Sequence, residues 1–351
     1  MSDLSQQFAA RIRAAAGPLV LRGRGSKDFY GNAPQGEALD VSGHRGIVAY
    51  EPTELVITAR AGTPLAEIEA ALAEKGQMLA FEPPHFGEGA TSSATLGGCV
   101  AAGLSGPRRA TAGAVRDYVL GVKLLDGQAR ELNFGGQVMK NVAGYDVSRL
   151  IAGSLGTLGL ILEVSLKVLP RPVAEATLRF DLPEAKALET MNQWAGKPLP
   201  VSATAWCDDV LTLRLSGARA AVAAAVEKLG GALVAASEAS QFWAGLREQQ
   251  LDYFAGDEAL WRLSLPSTAA PADLPGATFI EWGGSQRWLR GDIDAGHVRE
   301  VAAKLGGHAT LFRGGDKSVG VFHPLAPALA ALNARVRSAL DPRKVFDTGR
   351  L

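Results

Sequence analysis

Cysteine is almost absent: the 351 residues hold two, Cys99 and Cys207, far apart and outside any C-x-x-C pattern. Neither an iron–sulfur cluster nor a zinc site can be built from them, and a reducing cytoplasm suits such usage. Histidine is nearly as scarce. His44, His85, His297, His308 and His323 stand singly, without i, i+4 or H-x-H spacing, so a structural or solvated role is expected of each. There is no excess of charge, 36 Lys plus Arg facing 36 Asp plus Glu, and hence no long-range field to draw the protein to nucleic acid or an anionic membrane. Any anionic ligand must be held by local geometry. Long apolar runs are missing too, because Lys123, Asp126, Glu163 and Lys167 interrupt the richest stretches well short of the roughly 18 residues that span a bilayer. The N-terminal MSDLSQQFAARIRAAAGP reads as a short amphipathic helix without the apolar region of a signal peptide.

What the chain does have is glycine, 41 residues unevenly spread. Clusters at Gly23–Gly25, Gly87–Gly106, Gly135–Gly144 and Gly153–Gly159 punctuate the first half, and an alanine-rich middle follows. The change falls near Leu169-Pro170-Arg171-Pro172, where two prolines stiffen a connection. The length exceeds the usual size of one core. Three pieces are therefore expected: a first domain over residues 1–172, a smaller cap over 173–325, and a closing helix and tail over 326–351 that return to the first domain. In the first domain Leu19–Leu21, Glu54–Arg60, Tyr118–Leu125 and Gly159–Val168 read as strands. A helix should begin with Thr63 as its cap and Pro64 in its first turn, bury Leu65, Ile68 and Leu72, and stop at Gly76. In the cap, strand-like Ala176–Leu182, Val210–Leu215, Trp261–Leu265 and Thr278–Trp282 mix with helical Pro183–Trp194, Ala218–Leu229 and Ala295–Leu305. The fold class is α+β, strands and helices mixing irregularly rather than in strict βαβ alternation.

Three segments carry chemistry. In Leu21-Arg22-Gly23-Arg24-Gly25-Ser26-Lys27-Asp28, alternating glycines let a turn aim successive backbone N–H groups at one spot, a nest that suits an anion. Ser26 adds a hydroxyl, and Arg22, Arg24 and Lys27 add positive charge, so a diphosphate is a sensible guest. A plain glycine turn with solvated basic residues reads equally from an isolated R-G-x-G. It is not the G-x-G-x-x-G fingerprint, and no helix pattern follows at once, which tells against a Rossmann unit. The second segment, residues 87–108, is built almost wholly of small side chains, so backbone can approach a flat ligand closely and Thr95 can donate to it. A tight core crossing would look the same. The third joins Val138-Met139-Lys140-Asn141-Val142-Ala143-Gly144-Tyr145-Asp146 to Gly153-Ser154-Leu155-Gly156-Thr157-Leu158-Gly159.

Together these stretches resemble the FAD-binding domain of the vanillyl-alcohol-oxidase and para-cresol-methylhydroxylase (PCMH) superfamily. The V-M-K-N-V-A-G-Y-D and G-S-L-G-T-L-G runs and the terminal Phe346-Asp347-Thr348-Gly349-Arg350-Leu351 are similar to its glycolate oxidase and D-lactate dehydrogenase branch, and within it to the flavin-binding E-subunit family. The resemblance implies a two-subdomain PCMH-type FAD domain plus an α+β cap. It implies that Arg22, Gly23, Arg24, Gly25, Ser26 and Lys27 hold the pyrophosphate. Thr95, Gly97, Gly98, Ala101 and Gly103 would line the cofactor, and Gly156, Gly159 and Ile161 would touch its adenosine or flavin portion. Binding would be non-covalent, since Ser26 stands where some relatives carry a flavin-linked histidine. The implied partners are a sister flavoprotein D subunit and an iron–sulfur F subunit that passes electrons to quinone, with glycolate oxidised to glyoxylate by the complex. Those partners could hold a cytoplasmic chain at the inner face of the membrane. Catalytic subunits of the branch carry an H-x-G-D-G-N type motif that is missing here, so substrate oxidation is expected mainly on the sister subunit. A self-sufficient 2-hydroxy acid dehydrogenase and a non-catalytic scaffold stay open as alternatives. His323 keeps some interest for its place late in the cap. Among Arg262, Arg287, Arg290 and Arg313 nothing singles out a carboxylate clamp, and the six tryptophans of the second half read as core before interface.

Overall fold

The computed structural model describes residues 3–87, 94–136 and 146–351. The chain divides into two compact units: Met1–Leu104 with Ala114–Pro170 and Pro324–Leu351, and Ser105–Gly113 with Arg171–His323. Both mix helices with sheets, the α+β class expected.

In the first unit an antiparallel sheet runs in the order Ile47–Glu51, Val56–Arg60, Leu160–Lys167, Val119–Leu125, Glu131–Gly135. Its central strand Leu160–Lys167 is buried along nearly its whole length, only Glu163 and Lys167 being partly exposed. A second, parallel pair joins Leu19–Arg22 to Glu37–Asp40. The N-terminal helix Ser5–Ala14 turns Phe8 and Ile12 into a core shared with Leu19, Leu160, Leu162, Val345 and Phe346. The last residues are thus built into the same body as the first.

The helix Leu65–Glu74 forms as its periodicity predicts, with Leu65, Ile68 and Leu72 fully buried and Gly76 beyond its end at φ +66°. Its start differs from the expected one. Pro64 is the N-cap residue, and no side chain caps the helix. Thr63 Oγ1 turns instead to Gly46, accepting its N–H at 2.9 Å and donating to its carbonyl at 3.2 Å. Satisfying two buried backbone groups of another segment outweighs capping an end whose first N–H, that of Leu65, already donates to the carbonyl of Ala94 at 2.8 Å. Thr63→Val keeps the shape and removes both bonds, so it should lower stability by about 1–3 kcal/mol. A thermal or urea melt measures this, and an unchanged midpoint would refute it.

The second unit holds an eight-stranded, wholly antiparallel sheet in the order Ala232–Leu233, Ala174–Asp181, Val210–Gly217, Val201–Cys207, Ala277–Glu281, Gln286–Arg290, Leu260–Ser264, His308–Arg313. It is larger than the small sheet the sequence suggests. Glu184–Ala195 and Arg219–Leu229 cover one half with Leu188, Met191, Trp194 and Val222, and Ala295–Lys304 covers the other with Val298 and Ala302. All six tryptophans are buried, the core reading of the sequence. Several arginines serve the same end. Arg287, 1 % exposed, donates to the carbonyls of Gly284, Ala269 and Ala270; Arg290 donates to those of Tyr253 and Ala255; Arg313 donates to that of Phe254. Three of the four clamp candidates therefore brace loops of their own unit.

Candidate functional site

A pocket of roughly 750 Å³, part of it open to solvent, lies within the first unit. Its floor begins where the strand Leu19–Arg22 ends. There the chain turns through Gly23 and Gly25, and the turn closes on itself with Asp28 N–H donating to the carbonyl of Gly25 at 3.0 Å. Gly25 holds φ +76°, a conformation that is costly for side-chain-bearing residues. Across the turn Arg22 Nη2 and Asp28 Oδ2 pair at 2.7 Å. Lys27 is buried, its Nζ 5.6 Å from the centre of the Phe86 ring.

The opposite wall is the helix Leu96–Ala102. Thr95 caps it by accepting the N–H of Gly98 at 3.3 Å, and Gly103, left-handed at φ +68°, stops it. The small residues have a packing reason here. A Cβ on Gly97 would lie 2.7 Å from that of Ala61, and one on Gly23 would lie 2.5 Å from Thr95 Oγ1. Helix, glycine loop and Ala61, just past the strand Val56–Arg60, thus approach as closely as backbone allows, so the tight crossing explains these small residues and leaves bare backbone facing the pocket. A third wall comes from Leu155, Gly156, Gly159, Leu160 and Ile161.

All the site residues nominated from the sequence line this pocket except one. Gly103 faces away: its missing Cβ would meet Gly153 at 2.8 Å, so that position keeps the helix end against the following loop. Residues 88–93 of the small-residue run, and residues 137–145 with most of the V-M-K-N-V-A-G-Y-D run, lie outside the described residues. Asp146 is described; it caps Val147–Ile151 and pairs with Arg149 at 2.9 Å.

The tail supplies a lining residue that the sequence reading does not nominate. Arg350, second from the end of the sequence, reaches the pocket and donates through Nη2 to the carbonyls of Lys27 at 2.8 Å and Tyr30 at 3.1 Å. Backbone pairing guides it there, Gln35 N–H bonding the carbonyl of Thr348 and Asn32 N–H that of Arg350. Burial pulls the Arg350 pKa down and Asp28 opposes that. Among the described residues the pocket gathers Arg22, Arg24, Lys27 and Arg350 against the single carboxylate of Asp28. In a chain of zero net charge this local excess of cations suits an anion such as a diphosphate. Just outside, Ser42 holds the Asp40 carboxyl below its ordinary range through backbone and side-chain hydrogen bonds, with Arg24 and Arg22 adding to the effect.

No histidine lines the pocket. His44 is 1 % exposed, its Nδ1 accepts the N–H of Leu4 at 3.1 Å, and burial lowers its pKa. Cys99, on the far side of the wall helix, is buried and its thiol is pushed up to about 12 by desolvation, which makes it a packing residue rather than a nucleophile.

A family model described as an FAD binding domain matches residues 5–135. Glycolate oxidase subunit GlcE of Escherichia coli K12 is 49 % identical over 352 aligned residues, spanning 99 % of this chain and 97 % of that protein. Glycolate oxidase subunit GlcD of Bacillus subtilis 168 is 32 % identical over 53 % of this chain and 39 % of its own length. Among solved structures, an alkyldihydroxyacetonephosphate synthase superposes with a TM-score of 0.65 over 99 % of this chain and 75 % of that one, at 14 % identity, which speaks for the fold alone.

Proposed function

Because this chain belongs to the family of glycolate oxidase subunit GlcE, we propose that its first unit holds FAD in the pocket between the Arg22–Asp28 loop and the helix Leu96–Ala102. The observation that carries this is the meeting of an open-backbone turn, four cations and a wall of small residues in one concavity. The chain is a FAD-dependent oxidoreductase subunit of a multi-subunit glycolate oxidase. On this reading the loop N–H groups with Arg24 and Lys27 receive the diphosphate, while Arg350 fixes the loop from behind. Thr95 and Gly98 supply a hydroxyl and bare backbone, and Gly156, Gly159 and Ile161 contact the remainder of the cofactor. Bound there, FAD supplies the two-electron acceptor for oxidation of a 2-hydroxy acid such as glycolate.

Substrate oxidation is placed mainly on the sister D subunit, with electrons leaving through the iron–sulfur F subunit. Two features support that division: the sequence lacks an H-x-G-D-G-N motif, and Arg287, Arg290 and Arg313 are spent on backbone carbonyls. Among the described residues no helix is long and apolar enough to cross a membrane, so attachment to the inner face of the membrane would come through partners.

Recombinant chain supplied with FAD should come off the column yellow. Acid precipitation should leave all its flavin in the supernatant, since no lining side chain is a histidine. Colourless protein that refuses FAD would end the reading. Flavin in the pellet would end its non-covalent part, and glycolate-dependent reduction of a dye by the chain alone would end the division of labour.

A further inference from the structure

The helix Pro327–Leu340 is 14 residues long and none of them is buried. Leu329 and Leu332 are about half exposed, and with partly exposed Val336 they recur at i, i+3 and i+7; Leu325, 54 % exposed, precedes them. This is the spacing of one apolar stripe, of the kind surface helices turn toward a core. A helix of this length is marginal in water unless tertiary packing supports it. Among the described residues nothing covers the stripe.

Charge says what kind of partner fits it. From Pro324 to Leu340 the ionisable side chains are Arg335 and Arg337, with no acidic residue. Two-fold pairing with a second copy would set these cations against themselves, so self-association is disfavoured. A membrane surface would receive three leucines and a valine with no aromatic residue and no lysine, too little for a stable interfacial helix. An apolar groove rimmed by carboxylates satisfies both stripe and arginines.

We propose that Pro327–Leu340 is the docking helix for a different subunit of the same assembly, one that presents such an acid-rimmed groove. The proposal rests on the reading of this chain as a complex subunit. The helix runs directly into the segment that ends at the pocket. Asp341, at its C-terminus, accepts the N–H groups of Val345 at 2.8 Å and Phe346 at 2.6 Å, and Arg350 lies beyond.

The test co-expresses the full-length chain with its D and F sister subunits and weighs what co-purifies. Because Leu329 and Leu332 are exposed, the pair Leu329→Asp with Leu332→Asp should fold and keep the flavin of the parent. It should nevertheless recover at least about tenfold less sister subunit, as expected for central apolar anchors. Arg335→Glu with Arg337→Glu should cut recovery as well, and salt should weaken the parent complex. Should the aspartates unfold the chain, Leu329→Gln with Leu332→Gln replaces them with the same two readings. Undiminished recovery of the sister subunits would overturn the proposal. So would a fall in the oligomeric mass of the isolated chain, or loss of binding to anionic vesicles with assembly intact. A colourless chain that still needs this helix to assemble would support docking while ending the flavin reading, so the two failures are distinguishable.

Discussion

Gly25→Val should give a folded chain that retains no more than about a tenth of the parent's flavin. Gly25 sits at φ +76°. An L side chain there costs roughly 1–2 kcal/mol, and a β-branched one crowds its own backbone further. The added Cβ would lie 2.9 Å from Arg22 Nη2 and 3.0 Å from Asp28 Oδ2, between the members of a 2.7 Å ion pair. The exposed ends of that pair can swing aside, so the cost falls mainly on the backbone, and relieving φ +76° moves the N–H groups assigned to the diphosphate. A loss of about 1.4 kcal/mol already means tenfold in affinity. Gly76→Val is the control. Gly76 is also left-handed, at φ +66°, but it ends the helix Leu65–Glu74 with open space around it and is not among the pocket residues. It should cost stability and leave flavin binding alone. Equal flavin content in the Gly25 variant and the parent would show that the cofactor is not held by this loop.

That the loop is legible in the sequence and the role of Arg350 is not has a physical basis. Alternating glycines among arginines announce a turn with open backbone, because no other residue type buys φ above zero so cheaply. Arg350 carries no such mark. It sits among ordinary polar residues, and only the backbone pairing of Thr348 and Arg350 with Gln35 and Asn32 brings it to the loop. Gly103 shows the converse failure. A run of small residues cannot say which member faces a ligand and which faces Gly153, since both demand the same absence of bulk. Thr63 fails for a related reason: Thr-Pro ahead of an apolar helix is a good start signal, yet Gly46, seventeen residues away, competes for the same hydroxyl.

In the second unit the strands found from sequence are those with clear alternation, such as Val210–Gly217. Those missed include Val201–Cys207, diluted by Ser202, Ala203, Thr204 and Ala205, Gln286–Arg290, which carries two arginines, and His308–Arg313. Arg287 reads as surface and is nearly the reverse, a cation buried to brace backbone carbonyls. Charge at a strand position marks solvent only where the fold has no carbonyls to offer it.

Arg350→Ala should weaken FAD binding by more than about tenfold, through a residue that no loop motif contains. Its guanidinium holds the carbonyls of Lys27 and Tyr30 with Nη2 and Nε at 2.8–3.2 Å, and hydrogen bonds from a charged donor are worth roughly 1.5–3 kcal/mol. Truncation removes both that brace and one of the four cations lining the pocket. Arg350→Lys separates the two effects. The ammonium keeps the charge but cannot span two carbonyls in the fixed geometry of the planar fork. If the charge alone matters, the lysine variant should bind nearly as well as the parent; if the brace matters, it should bind nearly as poorly as the alanine variant. Because the brace anchors the carbonyls of Lys27 and Tyr30 at and just past the end of the turn, the second pattern is expected, with the melting temperature of the flavin-free chain falling alongside. A lower melting temperature with an unchanged flavin dissociation constant in both variants would make Arg350 a structural tether only and detach the tail from the site.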